Sequence, residues 1–357
     1  MKAYVLNGIN ELDYMELPMP KLEKGEVLVE VRAVGICGSD IPRIFEIGTY
    51  HFPTIPGHEI SGVVHSVYDE SLEHFIGKRV GVYPLIPCKE CVPCKNKAYE
   101  MCTNYDYLGS RRDGGFAEYV AVPVWNLIEL PEEISFEAAA MLEPASVGIH
   151  ALKRINMQNV QSATIFGTGT IGVLMAQWLR ILGMKDIFLV GTNDAQKELV
   201  EKLGFENFVN KNKVDAVQYI LNKSDQLGID LAIDCVGYSS VLTDCLNVVK
   251  RGGKVLVVGN PHGNVEISKE VYWKVLRKQV SIVGTWNSSF VPEEVSDDWR
   301  LVLENIVSGS LKPETQITHK LSLEQLVDGL EIMRTKKEFY NKVMISITQG
   351  EDSNVQM

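Results

Sequence analysis

The sequence predicts an α/β protein: a doubly wound parallel sheet set between two stretches richer in strands and turns. Three observations carry this reading. From about residue 160, short apolar runs alternate with helical patterns, the rhythm of a parallel sheet covered by helices on both faces. The first of those runs leads into Gly167-Thr-Gly169-Thr-Ile-Gly172, a glycine turn that opens a helix. After residue 284 the alternation stops although the chain goes on to 357.

Taken in order, residues 1–60 hold apolar runs broken by Gly and Pro, EVLVEVRAVGICG and then FPTIPGHEISGVVHSV, which read as strands and turns. To about 145 the pattern stays irregular, with Gly114–Gly115 and prolines at 84, 87, 93, 123 and 131. The regular part then runs SATIF, the turn, IGVLMAQWLRILG, IFLV, a helical pattern ending at Gly204, LAID, VLTDCLNVVK, KVLVVG and VSIVG at 280–284. The tail reads as polar loops, one or two helices and a last strand, NKVMISI, followed by a frayed QGEDSNVQM.

Composition narrows the function classes. With 35 basic against 46 acidic residues the formal charge is −11, which argues against a nucleic-acid partner. A 45% hydrophobic and 23% charged chain is too apolar to be intrinsically disordered. No apolar run approaches the roughly 20 residues that span a bilayer, and MKAYVLNGINELDYMEL is not a secretory signal. A soluble, cytoplasmic protein is expected.

In the glycine turn, Gly167 permits the tight bend, Gly169 lets backbone approach a pyrophosphate, and Gly172 lets helix pack on strand. With Thr170 and Ile171 these form the expected dinucleotide cradle. The next strand, IFLV, should end on an acid that holds the ribose of NAD, but that position is Gly191. The gap leaves room for a 2′-phosphate, with Thr192, Asn193 and Lys197 as donors and no Arg to clamp it. Asp194 is expected to cap the following helix. NAD and NADP both stay open, and tolerance of NADP is the working hypothesis.

Four of the seven cysteines, Cys88, Cys91, Cys94 and Cys102, fall within 15 residues. Four thiolates on one loop, with Pro and charged residues between them, suit a closed structural zinc site, and a redox pair is the lesser alternative. A second set is dispersed: Cys37 in GICGSD, His58 in GHE and Glu143 in MLEPASVG. A Cys, a His and a carboxylate with water would make an open zinc site. Spacing alone does not single them out, since one Cys or His is more often packed or exposed than metal-bound. Ser39, Asp40 and Glu59 beside them favour chemistry. Cys235 and Cys245 read as ordinary thiols.

GICGSD, GHEISG, the four-cysteine loop, DGGFAEY, EPASVGIH, GTGTIG and the terminal KVMI resemble, in order and spacing, the medium-chain zinc-dependent alcohol and polyol dehydrogenases. The resemblance implies a β-rich GroES-like catalytic domain, residues 1–147 and 284–357, with a Rossmann domain inserted at 148–283. It implies a catalytic zinc on Cys37, His58 and Glu143, a structural zinc on the four cysteines, and Ser39 as the start of a proton relay that His51 continues. Asp40 would orient His58, and Glu59 would be an alternating or supporting carboxylate. Val236, Gly237, Val258, Gly259, Asn260 and Lys342 would line NAD or NADP, and Trp286 the substrate pocket.

CGSDIPRIF, YDYLGSRRDGGFAEY and EPASVGIHAL resemble the branch acting on galactitol 1-phosphate more than the sorbitol branch. Arg43, Arg111 and Arg112 would then supply cations for the phosphate. Their bland alternative is a solvated Arg-Arg-Asp turn, with Arg43 serving the cofactor pyrophosphate. The implied reaction is oxidation of a polyol phosphate to a ketose phosphate. The alternatives are an unphosphorylated polyol, an amino alcohol of the threonine type, or a non-catalytic zinc and nucleotide sensor. Family likeness also implies a homodimer or homotetramer, with 256–260 and 280–290 as an interface. Two departures stand out: Tyr68, Glu70 and Ile76 replace expected Gly and Pro after GHE, and Gly191 replaces the ribose acid.

Overall fold

A computed structural model describes residues 1–347; the QGEDSNVQM tail lies outside the described residues. The chain divides into two compact units, Met1–Glu143 with the segment from Phe290 onward, and Pro144–Ser289. No helix of the described residues is long and apolar enough to cross a membrane.

The first unit is built on a seven-stranded sheet. Its central strand, β1 (Glu26–Ile36), is buried along nearly its whole length because neighbours pair with it on both edges. One neighbour is β2 (Glu59–Val67), antiparallel, with Gly35 opposite Glu59. The other edge is shared: Tyr119–Pro123 pairs with the first half of β1, and the last strand pairs antiparallel with the second half, placing Val343 opposite Ile36. The core of this unit is β-branched: Val27, Val29, Val31, Val34, Ile60, Val80 and Val82 are buried together with Phe116. Chain segments some 300 residues apart thus meet where β1 ends, immediately before Cys37.

The second unit holds six parallel strands in the order Phe208–Asn210, β4 (Asp186–Gly191), β3 (Ser162–Phe166), β5 (Ile229–Asp234), β6 (Val249–Val257) and β7 (Ser281–Gly284). The chain starts in the middle, winds outward one way and then the other. That reversal beside β3 is the switch point at which ligands bind beyond the carboxyl ends of the strands. Helix α1 (Thr170–Ile181) follows β3 after the glycine turn and buries Gly172 through Leu179. Gly167 sits at φ +101, open to Gly and strained for other residues. A Cβ on Gly172 would fall on the Gly167 carbonyl oxygen, so the helix meets the turn closely only because both are glycine.

Gly172→Ala is therefore expected to destabilise the second unit by about 1–3 kcal/mol, the range for overpacking a tight contact. Urea unfolding monitored by the fluorescence of buried Trp178 would measure it; an unchanged midpoint would refute the close approach.

Candidate metal and nucleotide sites

β1 delivers Cys37 to the head of a short helical turn, Asp40–Pro42 followed by Arg43–Ile47. The turn is organised by Asp40, fully buried, whose Oδ2 accepts from the Cys37 amide at 2.9 Å and whose Oδ1 accepts from Arg43 at 2.7 Å. Asp40 Oδ1 also lies 3.5 Å from His58 Nδ1. Burial by itself would raise the Asp40 pKa, but His58 and Arg43 hold it below the usual carboxylate range. Burial would lower the His58 pKa, yet Asp40 and the Cys37 sulfur hold it well above the ordinary imidazole value. The same surplus of negative charge that favours a proton on His58 favours a metal cation.

Donor atoms of Cys37, His58 and Glu59 lie within 4.8 Å of one another. The tight set thus contains Glu59, while Glu143 is the neighbouring carboxylate. Glu143 is buried, and that burial pushes its pKa up to about 7 against the opposing pull of His58. A sulfur, an imidazole and a choice of two carboxylates fit a zinc ion with an open position. Ser39 is half-buried beside them, its hydroxyl 3.3 Å from Cys37 Sγ.

Glu59 is not isolated. Its carboxylate reaches across β1 to Lys342, which is itself buried and donates to the Ile36 carbonyl at 3.0 Å. The crossing passes over Gly35, where a Cβ would collide with the Glu59 carboxylate and come within 2.8 Å of Lys342 Cε. Lys342, expected to line the cofactor, is placed here as the partner of Glu59.

The four-cysteine loop forms a second compact group, all four donor atoms within 4.8 Å. Zinc–sulfur bonds of about 2.3 Å in a tetrahedron require sulfurs roughly 3.8 Å apart, and Cys91 and Cys102 are separated by 3.8 Å. The Cys94 and Thr103 amides hold the Cys91 thiol down to about 6, while burial raises Cys94 and Cys102. Tyr99, Trp125 and Val291 pack around this loop. Cys235 and Cys245 join neither group.

The arginines differ in occupation. Arg43 is held by Asp40, and Arg112 by Glu26 at 2.6 Å. Arg111 sets its guanidinium over the rings of Tyr50 and Tyr105, 4.0 and 4.4 Å from their centroids, with no carboxylate partner among the described residues. His51, offered as a relay, spends its Nε2 on the Arg111 carbonyl at 2.9 Å. Tyr107, which sequence reasoning missed, sets its ring 5.8 Å from that of His58 and 6.3 Å from Tyr105.

In the second unit, Asp234 ends β5 and is buried. Its carboxylate accepts from the Val236 and Gly237 amides, and its carbonyl from those of Val258 and Gly259. One residue thereby fixes both loops expected to line a dinucleotide. The only signal for it in the sequence was an acid at a strand end. A Cβ on Gly167 would press on Val236 Cγ2 at 2.6 Å, so the glycine turn and these loops form one close-fitting cradle. Trp286 lies in this unit and is exposed. Asp194 does not cap the helix after β4, contrary to expectation. Asn193 does, accepting from the Gln196 amide, because the helix starts at Asp194 itself, whose carboxylate turns instead to Lys213 and Asn210.

Residues 23–132 match the alcohol dehydrogenase GroES-like domain, and residues 170–308 the zinc-binding dehydrogenase family. The chain is 31% identical over 350 residues to sorbitol dehydrogenase of Bacillus subtilis, covering 97% of both chains. It is 29% identical over 331 residues to galactitol 1-phosphate 5-dehydrogenase of Escherichia coli, covering 92% of this chain and 95% of the relative. The crystal structure of galactitol-1-phosphate dehydrogenase from Escherichia coli superposes with a TM-score of 0.86 over 97% of this chain and all of that one, at 28% identity. A zinc-binding dehydrogenase from Sinorhizobium meliloti bound to NADP gives 0.87 at 25% identity, over 97% and 98%.

Two zinc ions per chain are expected by atomic absorption, falling to one in Cys91→Ser with a lower melting temperature; one per chain in the unaltered protein would favour the sensor alternative. Lys342→Met should cost about 3–5 kcal/mol in denaturant unfolding, because it strands a buried carboxylate, and adding Glu59→Gln should restore most of it.

Proposed function

This chain belongs to the zinc-binding alcohol dehydrogenases with a GroES-like domain, and we propose that it oxidises a secondary alcohol of a polyol phosphate to the ketone, reversibly, with NAD or NADP as hydride acceptor. The observation that carries the reading is the open donor set of Cys37, His58 and a carboxylate beside a half-buried serine.

Cys37, His58 and Glu59 or Glu143 would hold the catalytic zinc. With Nδ1 turned to Asp40, Nε2 is the nitrogen that His58 offers. A zinc held by these residues would act as a Lewis acid that makes an alcohol hydroxyl easier to deprotonate near neutral pH. Ser39 takes the hydroxyl proton and passes it outward. Asp40 keeps His58 and Cys37 in place through this step, since it contacts both. The glycine turn with Thr170 and Ile171 would hold the pyrophosphate and the loops fixed by Asp234 would flank the nicotinamide, which supplies the hydride acceptor when bound. The four cysteines would hold a structural zinc and take no part in proton or hydride movement.

Arg111 recognises the phosphate. Arg43 and Arg112 already bind carboxylates, whereas the Arg111 guanidinium is held over two tyrosine rings and by the Tyr105 carbonyl, none of which neutralises it. Tyr107 and Tyr105 step from His58 toward it, which suits a linear substrate with its reacting carbon at one end and its phosphate further on. An unphosphorylated polyol is the second reading, favoured by the identity to sorbitol dehydrogenase.

Steady-state kcat/KM for galactitol 1-phosphate against galactitol and sorbitol tests this. The phosphate should confer a clear advantage, and Arg111→Ala should remove about 1.5–3 kcal/mol of it while leaving free polyols unaffected. Equal rates with and without phosphate would transfer the proposal to the free polyol.

A further inference from the structure

The β4 end, where a dinucleotide's adenosine ribose rests, is closed to the usual acid by more than its glycine. A Cβ on Gly191 would meet Gln196 Oε1 at 2.6 Å, Phe208 Cζ at 2.6 Å and Thr168 Oγ1 at 2.7 Å. The place of the acid is taken by the Gln196 side chain, reaching back from helix α2 (Asp194–Lys202).

The amide orientation of Gln196 is fixed by its neighbours. Two backbone donors, Thr192 N at 2.7 Å and Asn193 N at 3.3 Å, point at its oxygen, and the Thr192 hydroxyl approaches the same atom at 3.4 Å. The acceptor is therefore spent inside the turn, and what Gln196 has left to offer is its NH2 group. The other acceptors nearby each already take one hydrogen bond. Asn193 Oδ1 accepts from the Gln196 amide, the Thr192 carbonyl accepts from Asn212, and both Asp194 oxygens are held by Asn210 and Lys213. Donors remain in the side-chain amides of Gln196 and Asn193, whereas Lys197, one position beyond Gln196, pairs with Glu201 at 3.5 Å. A ribose 2′-hydroxyl needs an acceptor to take its proton, whereas a 2′-phosphate has only acceptors and needs donors.

We infer that Gln196, by filling the acid's place with a side chain whose acceptor is already committed, makes this chain select NADP over NAD. The inference rests on the nicotinamide-dependent reading above and adds the specificity-determining residue to it.

Isothermal titration of NADP+ and of NAD+ into the zinc-loaded protein, without substrate, tests it independently of turnover. The unaltered protein should bind NADP+ roughly ten- to a hundredfold more tightly, the span of one charge-assisted hydrogen bond. Gln196→Glu keeps the oxygen that accepts from Thr192 and Asn193 and adds a negative one. It should leave the unliganded melting temperature unchanged, weaken NADP+ by tenfold or more and leave NAD+ as tight or tighter. Equal or stronger binding of NAD+ by the unaltered protein overturns the inference, as does a ratio that Gln196→Glu does not move; if the variant fails to fold, the unaltered ratio decides alone. Failure to bind either dinucleotide would sink the dehydrogenase reading itself, whereas a preference for NAD+ sinks only this inference.

Discussion

The buried ion pair between Glu59 and Lys342 is the contact on which the first unit's site depends. It joins two strands that do not touch each other, bridging over the one between them. Such a bridge is feasible only if the middle strand has no side chain at the crossing, and Gly35 supplies that gap. Two buried charges are costly unless each is well paired, so the arrangement specifies register: shifting the last strand by one residue would turn Lys342 to the opposite face. The residue after β1 is Cys37, and the residue before Glu59 is His58. Fixing the pair therefore fixes the spacing of the two donors.

Around that pair the balance of charge is negative. Asp40, Glu59, Glu143 and the Cys37 sulfur face His58, Lys342 and Arg43, and Lys342 and Arg43 are each committed to one carboxylate. The direction of the His58 and Glu143 shifts follows: both groups hold protons more tightly than in water, the first for want of positive charge and the second for want of solvent. A divalent ion relieves both, and it would release protons on binding.

Much of this was legible in the sequence because its carriers are local. Gly167 through Gly172 and the cysteines at 88–102 are short segments whose spacing alone dictates geometry. The alternation of strands and helices likewise needs no long-range information. What stayed hidden depends on partners brought from afar. Lys342 was expected at the cofactor, and only the antiparallel register puts it against Glu59. Arg43, Arg111 and Arg112 look alike as letters and differ only by which carboxylates or rings the fold sets beside them. Asp234 and Gln196 act through backbone amides of their own loops, a role that composition does not mark.

The inserted arrangement also has a temporal side. The seven-stranded sheet lacks one edge partner of β1 until Lys342–Ser346 has been made, by which time all of Pro144–Ser289 has already left the ribosome. The second unit, continuous in the chain, can fold as it emerges, while the first must wait with β1 half-paired. During that wait the carboxylate of Glu59 has no lysine, and water has access to what will become its interior. The last strand thus completes both the pairing of β1 and the burial of Glu59 against its lysine.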